Sequence, residues 1–193
     1  MRPEKTRITD LITSHLGTRT TKPWYVREKL SPRANVHAVL RGPDGHVKYE
    51  EWGENLVTDV GDEVIATRLY DDAVLIVTGM KLGNDSATAE AKNGAGAGMV
   101  TYIGASQEAL DGVATDATKG AGAGWRTTYV CTWVAGDVTD ADIEEVCLTN
   151  QTALADNTSA IADTIARYVF AATIDKQAGD SLEVTWNIDI LGT

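Results

Sequence analysis

The segment from residue 182 to 190 alternates apolar and polar residues almost without error, and this period of two constrains the fold more than any other feature. Its apolar residues are Leu182, Val184, Trp186, Ile188 and Ile190. The polar residues between them are Glu183, Thr185, Asn187 and Asp189. In an extended chain the first set faces one side and the second set the other, so we expect a strand with a core face and a solvent face.

Other segments with the composition or alternation of strands precede it. They cover residues 36–40, 47–49, 75–82, 125–134, 143–148 and 165–171. The turn residues Gly42 to Gly45 join the first two segments into a hairpin, and Gln177 to Asp180 join the last two strands. Seven or eight strands with mostly irregular connections predict a mainly β protein, an antiparallel β-sandwich of jelly-roll type.

One helix is predicted within this body. Asp59 can serve as its N-cap and Asp62 as an acidic residue of its first turn. The residues expected on its buried face are Val60, Val64, Ile65 and Leu69. The helix should end near Tyr70.

Charge divides the chain into two regions. Residues 1–48 hold ten Lys and Arg against four Asp and Glu, whereas residues 49–193 hold seven against 24. The first region therefore has a net charge of +6 and the second −17. This division predicts a basic N-terminal arm over residues 1–35 and an acidic body over residues 36–193, whose carboxylates we expect on a solvated exterior.

The arm combines apolar and basic residues suited to holding a partner. Its apolar residues are Ile8, Leu11, Ile12 and Leu16, at the spacing of a short amphipathic helix, and the anchor Trp24, Tyr25 and Val26. Its basic residues are Arg19, Lys22, Arg27, Lys29 and Arg33. A helix this short is not stable alone in water, so we expect it to dock on another subunit or on its own body.

Composition excludes several classes of function. The net charge of −11 argues against nucleic acid as the main partner. There is no secretory h-region and no apolar run long enough to span a bilayer, so we expect a soluble protein made in a cytosol. Cys131 and Cys147 fit buried strand positions. The segments 94–98 and 120–124 are glycine-alanine connections that match no nucleotide loop, and no cofactor is expected.

The titratable residues do not indicate an enzyme. The three histidines, His15, His37 and His46, all lie within the first 46 residues, so a nucleophile elsewhere in the body would need the arm or the first hairpin to supply its base. The acidic loop from Asp137 to Glu144 offers Asp140 and Asp142 as weak candidates for a Ca²⁺ site, although it lacks the EF-hand spacing. We expect no catalytic residue and no resident metal.

Four segments together resemble a group of virion proteins of tailed bacteriophages. They are residues 54–61 leading into the helix, the strand at 80–83, the Thr- and Trp-rich strand at 125–134, and residues 182–188. The resemblance covers residues 36–193 and rests on strand and turn signatures. It implies a small β-rich structural protein of the capsid, tail or fibre, located in the virion after assembly in the bacterial cytoplasm.

These observations favour a capsid decoration (cement) protein. Its partners would be further copies of itself in a trimer and the major capsid protein, with no membrane involved, and the arm would reach over neighbouring subunits. One alternative is a tail, neck or fibre component. Another is a carbohydrate-binding or polysaccharide-hydrolysing sandwich acting on host surface glycan, with Trp52, Trp125 or Trp133 stacking on sugars. Against this last alternative, Trp125, Trp133 and Trp186 lie in strand patterns that can bury them, so core packing is the favoured explanation.

Overall fold

The computed structural model describes residues 31–69, 76–112, 114–118, 124–150 and 161–191. Within these ranges lie nine strands and one α-helix. The strands are β1 (Ser31–Arg41), β2 (Val47–Val57), β3 (Gly79–Gly83), β4 (Glu108–Ala109), β5 (Thr115–Thr118), β6 (Trp125–Trp133), β7 (Asp140–Thr149), β8 (Thr164–Lys176) and β9 (Ser181–Leu191). The helix α1 is Asp59–Thr67, and short 3-10 turns cover Ala95–Ala97 and Ile161–Asp163.

All strands belong to one antiparallel sheet, with the order β4-β3-β7-β8-β2-β1-β9-β6-β5. The chain from β4 to β5 nearly closes this sheet on itself. β4 pairs with β3 through Gly79 and Ala109, β5 pairs with β6, and between them the Asp111 N–H donates to the Val130 carbonyl oxygen at 2.9 Å. The predicted mainly β class is therefore confirmed. The finer prediction of a jelly-roll sandwich is not, since this single sheet curls nearly into a barrel.

The alternation in β9 builds the core of this barrel. Leu182, Val184 and Trp186 are fully buried, as is Trp133 on the neighbouring strand β6. The first hairpin, the turn at residues 177–180 and the buried free cysteines also agree with the sequence predictions. In β8 and β7, the buried apolar residues that join the same core include Ile165, Phe170 and Leu148.

The helix starts one residue earlier than a cap at Asp59 would give. Thr58 is the N-cap, because its hydroxyl oxygen accepts from the Gly61 N–H at 3.0 Å. The same hydroxyl donates to the Ile165 carbonyl oxygen of β8 at 2.9 Å, so the cap also joins helix to sheet. Gly61 permits this approach, since a Cβ there would lie 2.5 Å from that carbonyl oxygen. Our assignment of the cap to Asp59 was wrong.

We predicted that the acidic residues of the body lie on a solvated exterior, but the structure buries some of them. Glu145 and Arg167 are buried on the outer side of the sheet and form an ion pair of 2.5 Å. Burial raises the pKa of Glu145, although Arg167 and the Thr101 N–H both donate to it. Arg167 also donates to the Thr88 carbonyl oxygen at 2.7 Å. This buried pair fastens the long connection between β3 and β4 over the sheet.

Two residues of β9 that were expected to face solvent are also nearly buried. Asp189 receives two hydrogen bonds from Arg126 of β6, at 2.8 and 3.1 Å. Asn187 donates to the Asn35 side-chain oxygen at 2.9 Å and accepts from Thr128 at 2.7 Å. They lie on the outer face as predicted, but their neighbours on adjacent strands cover them.

Candidate interaction site

The strand register defines two ends of the barrel. Ser31 of β1 lies opposite Leu191 of β9, and Ile190 lies opposite Trp125 of β6. At this end of the barrel, β2 and β7 also finish and β3 and β8 also begin. We call it the open end. The opposite end, called the closed end, holds the turns at residues 42–46, 134–139 and 177–180.

An apolar cleft of about 800 Å³ lies at the open end. One wall is α1 and the residues after it, with Val64, Ile65 and Leu69. The opposite wall is the interior of the sheet, with Val77, Leu110, Tyr129 and Ile190. The cleft forms because α1 packs against β8 and leaves the β6 and β9 side of the barrel interior uncovered by described residues. Its volume falls in the range of pockets that hold ligands or side chains of a partner.

The open end exposes large apolar side chains. Leu69 is 84% exposed, Trp125 59%, Ile76 55% and Ile161 42%. We predicted Leu69 on the buried face of the helix, and core packing was one of two interpretations of Trp125. The structure places Leu69 past the last turn of α1 and Trp125 at the first position of β6, where the barrel interior ends. Val47 and Val134 are exposed at the closed end as well, but there they border no described apolar cleft. Exposed apolar groups that border such a cleft, as Leu69 and Ile76 do, are typical of a surface that a partner covers.

Polar groups in the cleft are few. Burial raises the pKa of the Tyr129 hydroxyl. The Thr78 hydroxyl is buried and has no hydrogen-bond partner among the described residues. Arg68 supplies a cation to the lining. This composition suits an apolar occupant that carries one or two hydrogen-bonding groups.

The predicted arm joins the body at this end. β1 begins at Ser31, five residues before the boundary that we placed at residue 36, because the chain already pairs with β9 there. Arg33 therefore lies in β1, with an exposed side chain opposite Asp189. The other predicted arm residues, from Ile8 to Lys29, lie outside the described residues. The candidate interaction site that the sequence analysis did not predict is thus the surface beside Ser31.

The candidate groups for catalysis are engaged in local contacts. His37 stacks on Trp52 with ring centroids 3.7 Å apart and contacts Glu50 at 2.9 Å. His46 contacts Asp44, two residues away in the hairpin turn. Burial raises the pKa of the Cys131 thiol to about 12 and that of Cys147 well above its ordinary value. Both thiols are therefore poor nucleophiles near neutral pH.

The candidate calcium ligands do not converge. The Asp140 carboxylate accepts from the Asp142 N–H at 2.8 Å, which fixes a local turn at the start of β7. Glu144 accepts from Thr173 on β8 at 3.1 Å. Across the part of the chain that the structure describes, no three His, Cys, Asp or Glu side chains are grouped to hold a metal ion.

The tryptophans separate into buried and exposed sets. Trp133 and Trp186 are fully buried, so Trp133 is wrong as a sugar-stacking candidate. Trp52 is 64% exposed on the outer face of β2. Alternation along the strands correctly predicted that Trp133 and Trp186 point into the core, but it carried no information on where the barrel ends.

The chain was compared with known proteins. No family model matches it, no curated protein matches it significantly, and no solved structure does so. Among the described residues, no helix is both long and apolar enough to cross a membrane.

Proposed function

We propose that this protein is a structural component of a bacteriophage virion, and specifically a capsid decoration protein. The observation that carries the proposal is the apolar open end. Its cleft of about 800 Å³ lies beside Ser31, where the basic arm joins the body. Exposed apolar surface of this kind favours association with another protein. The resemblance of residues 36–193 to virion proteins of tailed bacteriophages is the reason for proposing a virion as the assembly.

The proposed mechanism is the burial of apolar side chains of the arm between subunits. The helix stripe of the arm, Ile8, Leu11, Ile12 and Leu16, would pack on a neighbouring copy within a trimer or on the major capsid protein. Apolar area removed from water contributes about 25 cal/mol per Å², so a short arm can hold a subunit that a flat contact would not. The basic residues of the arm and the acidic body would steer the approach more than they would add affinity.

Removal of the arm tests this mechanism. The deletion should cover residues 1–30 and no more, because β1 begins at Ser31 and pairs with β9. We expect a folded body that no longer decorates purified capsids. A matched full-chain variant, Leu11→Asp with Ile12→Asp, should show the same loss. Decoration at the occupancy of the unaltered protein by both variants would overturn the mechanism.

Location in the particle tests the function itself. A decoration protein should be present in hundreds of copies, whereas a tail, neck or fibre component should be present in far fewer. A stained gel of purified virions, calibrated on the major capsid protein, gives the copy number. An image of the particle with the density of this protein identified gives its position. Absence from the virion would overturn the proposal.

A second candidate function is glycan binding, favoured by the exposure of Trp52. Its indole is held flat against His37, and a Glu50 carboxylate oxygen accepts from Nε2 of the same histidine at 2.9 Å. Aromatic faces presented in this way can stack on sugar rings. A glycan array should show binding that Trp52→Ala abolishes and Trp133→Phe, which alters a buried residue, retains. An array without binding would remove this candidate.

A further inference from the structure

We infer that the anchor of the arm, Trp24, Tyr25 and Val26, occupies the cleft at the open end of its own chain. The inference goes beyond the proposed role in a virion, because it concerns a contact within one chain. It divides the arm into two parts. The anchor would bind the body that carries it, and the helix at residues 8–16 would remain available to a neighbour.

The first argument is the position at which the arm joins β1. Pro32 of β1 lies opposite Ile190 of β9, and Ile190 lines the cleft. Ser31, the first described residue, lies opposite Leu191. The arm therefore leaves the sheet at the rim of the cleft, and its nearest apolar residues are those of the anchor.

The second argument is reach. Trp24 lies seven residues before Ser31, so an extended chain of about 3.3–3.6 Å per residue spans up to roughly 25 Å between them. Neighbouring strands are about 4.8 Å apart, which places the β9 and β6 sides of the cleft roughly 5 and 10 Å from β1. The anchor can therefore turn back into the cleft. The helix stripe ends at Leu16, fifteen residues before Ser31, and can extend to a neighbouring subunit.

The third argument is chemical fit. The cleft is lined mainly by aliphatic side chains and has a volume of about 800 Å³. Trp and Tyr bring large apolar surfaces that each carry one hydrogen-bonding group. The anchor is flanked by Lys22, Arg27 and Lys29. Glu63, which precedes the lining residue Val64 on α1, is exposed and offers these cations one acidic partner, whereas Arg68 of the lining does not.

Disulfide trapping in the full-length chain tests this inference. Tyr25→Cys is combined with Leu69→Cys or, in a second variant, with Ile76→Cys, because both partners are exposed residues of the cleft. The matched control combines Tyr25→Cys with Val134→Cys, an exposed residue at the closed end. The native thiols do not interfere, since Cys131 and Cys147 are buried. Mild oxidation is followed by mass and by non-reducing gel.

We expect both cleft variants to form a disulfide within one chain at least about tenfold faster than the control, because a docked segment has a high effective concentration. Equal rates in all three variants would overturn the inference. Disulfides that form only between two chains would overturn it as well and would place the anchor on a neighbour. Each result is independent of whether the protein is found in virions, so failure of the proposed function can be told apart.

Discussion

The two ends of the barrel are built from the same strands but are completed in opposite ways. At the closed end, Lys176 is buried and donates to the carbonyl oxygens of Val134 and Asp137 at 3.1 and 2.6 Å. Asp180 accepts from Lys48 at 2.6 Å and from the Gln177 N–H at 2.9 Å. At the open end the corresponding space is an apolar cleft beneath exposed side chains.

This difference indicates which end of the barrel a partner would cover in the assembly that we propose. Short turns at the closed end satisfy their polar groups within the chain, so a partner there would gain little. At the open end, apolar side chains of the described residues are exposed, and covering them, by the arm of the same chain or by a neighbour, releases free energy. Substitutions at the closed end should therefore alter folding stability, and substitutions at the rim of the open end should alter association.

The largest loss of stability is expected for Lys176→Ala. The variant removes the donor to two carbonyl oxygens and leaves a cavity in place of a fully buried aliphatic chain. Together these changes should lower the free energy of unfolding by about 2–4 kcal/mol. Urea denaturation measures it. Arg41→Ala removes an exposed cation at the same end and should cost less than about 0.5 kcal/mol. Equal losses in the two variants would contradict the structural role of Lys176.

A smaller loss is expected for Thr58→Ala at the open end. It removes the N-cap of α1 and the hydroxyl that donates to β8, and caps of this kind contribute about 1–2 kcal/mol. Thr58→Ser keeps the hydroxyl and should retain most of that stability. The two variants are compared by thermal and urea unfolding. If serine proves as costly as alanine, the hydroxyl is not what holds the helix.

The contribution of Asp180 should depend on pH. Hydrogen bonds from Lys48 and Gln177 lower the pKa of its carboxyl below the ordinary value of 3.8. The carboxylate therefore stabilises the fold above pH 3.8, and this contribution is lost as the pH falls through the lowered pKa. At neutral pH, Asp180→Asn should cost about 1 kcal/mol.

Unfolding measured across a pH series tests this prediction. The difference between the unaltered protein and Asp180→Asn should be constant near neutral pH and shrink in acid. Lys48→Met removes the partner and should flatten the same dependence. A difference that stays constant as the pH falls through the lowered pKa of Asp180 would show that its charge is not the stabilising feature.

The smallest effect on stability is expected at the rim of the open end. Leu69→Asp places a charge on a side chain that is already 84% exposed, so the free energy of unfolding should change by less than about 1 kcal/mol. In the assembly that we propose, association of subunits, measured by sedimentation, should nevertheless be lost. Val134→Asp makes the matching change at the closed end and should leave association intact. The reverse pattern would exchange the roles that we assign to the two ends.

Much of the fold could be predicted from local pattern. The strict alternation in β9 and β6 identified strands and their core faces, since the side-chain period of an extended chain is fixed by its covalent geometry. Gly, Pro and Asp at the first hairpin likewise predicted its turn. The N-cap was misplaced by one residue because Thr58 and Asp59 are both good caps, and only contact with β8 decides between them.

Residue type and spacing determined that this protein is β-rich and divided in charge, with apolar and basic residues grouped before residue 36. The tertiary structure alone decided that the sheet curls nearly into a barrel, because its closure depends on how the chain between β4 and β5 bridges β3 and β6. It also decided which charges are buried and where Leu69, Ile76 and Trp125 meet at one end. Burial and the end of a barrel depend on distant parts of the chain, which no local pattern encodes.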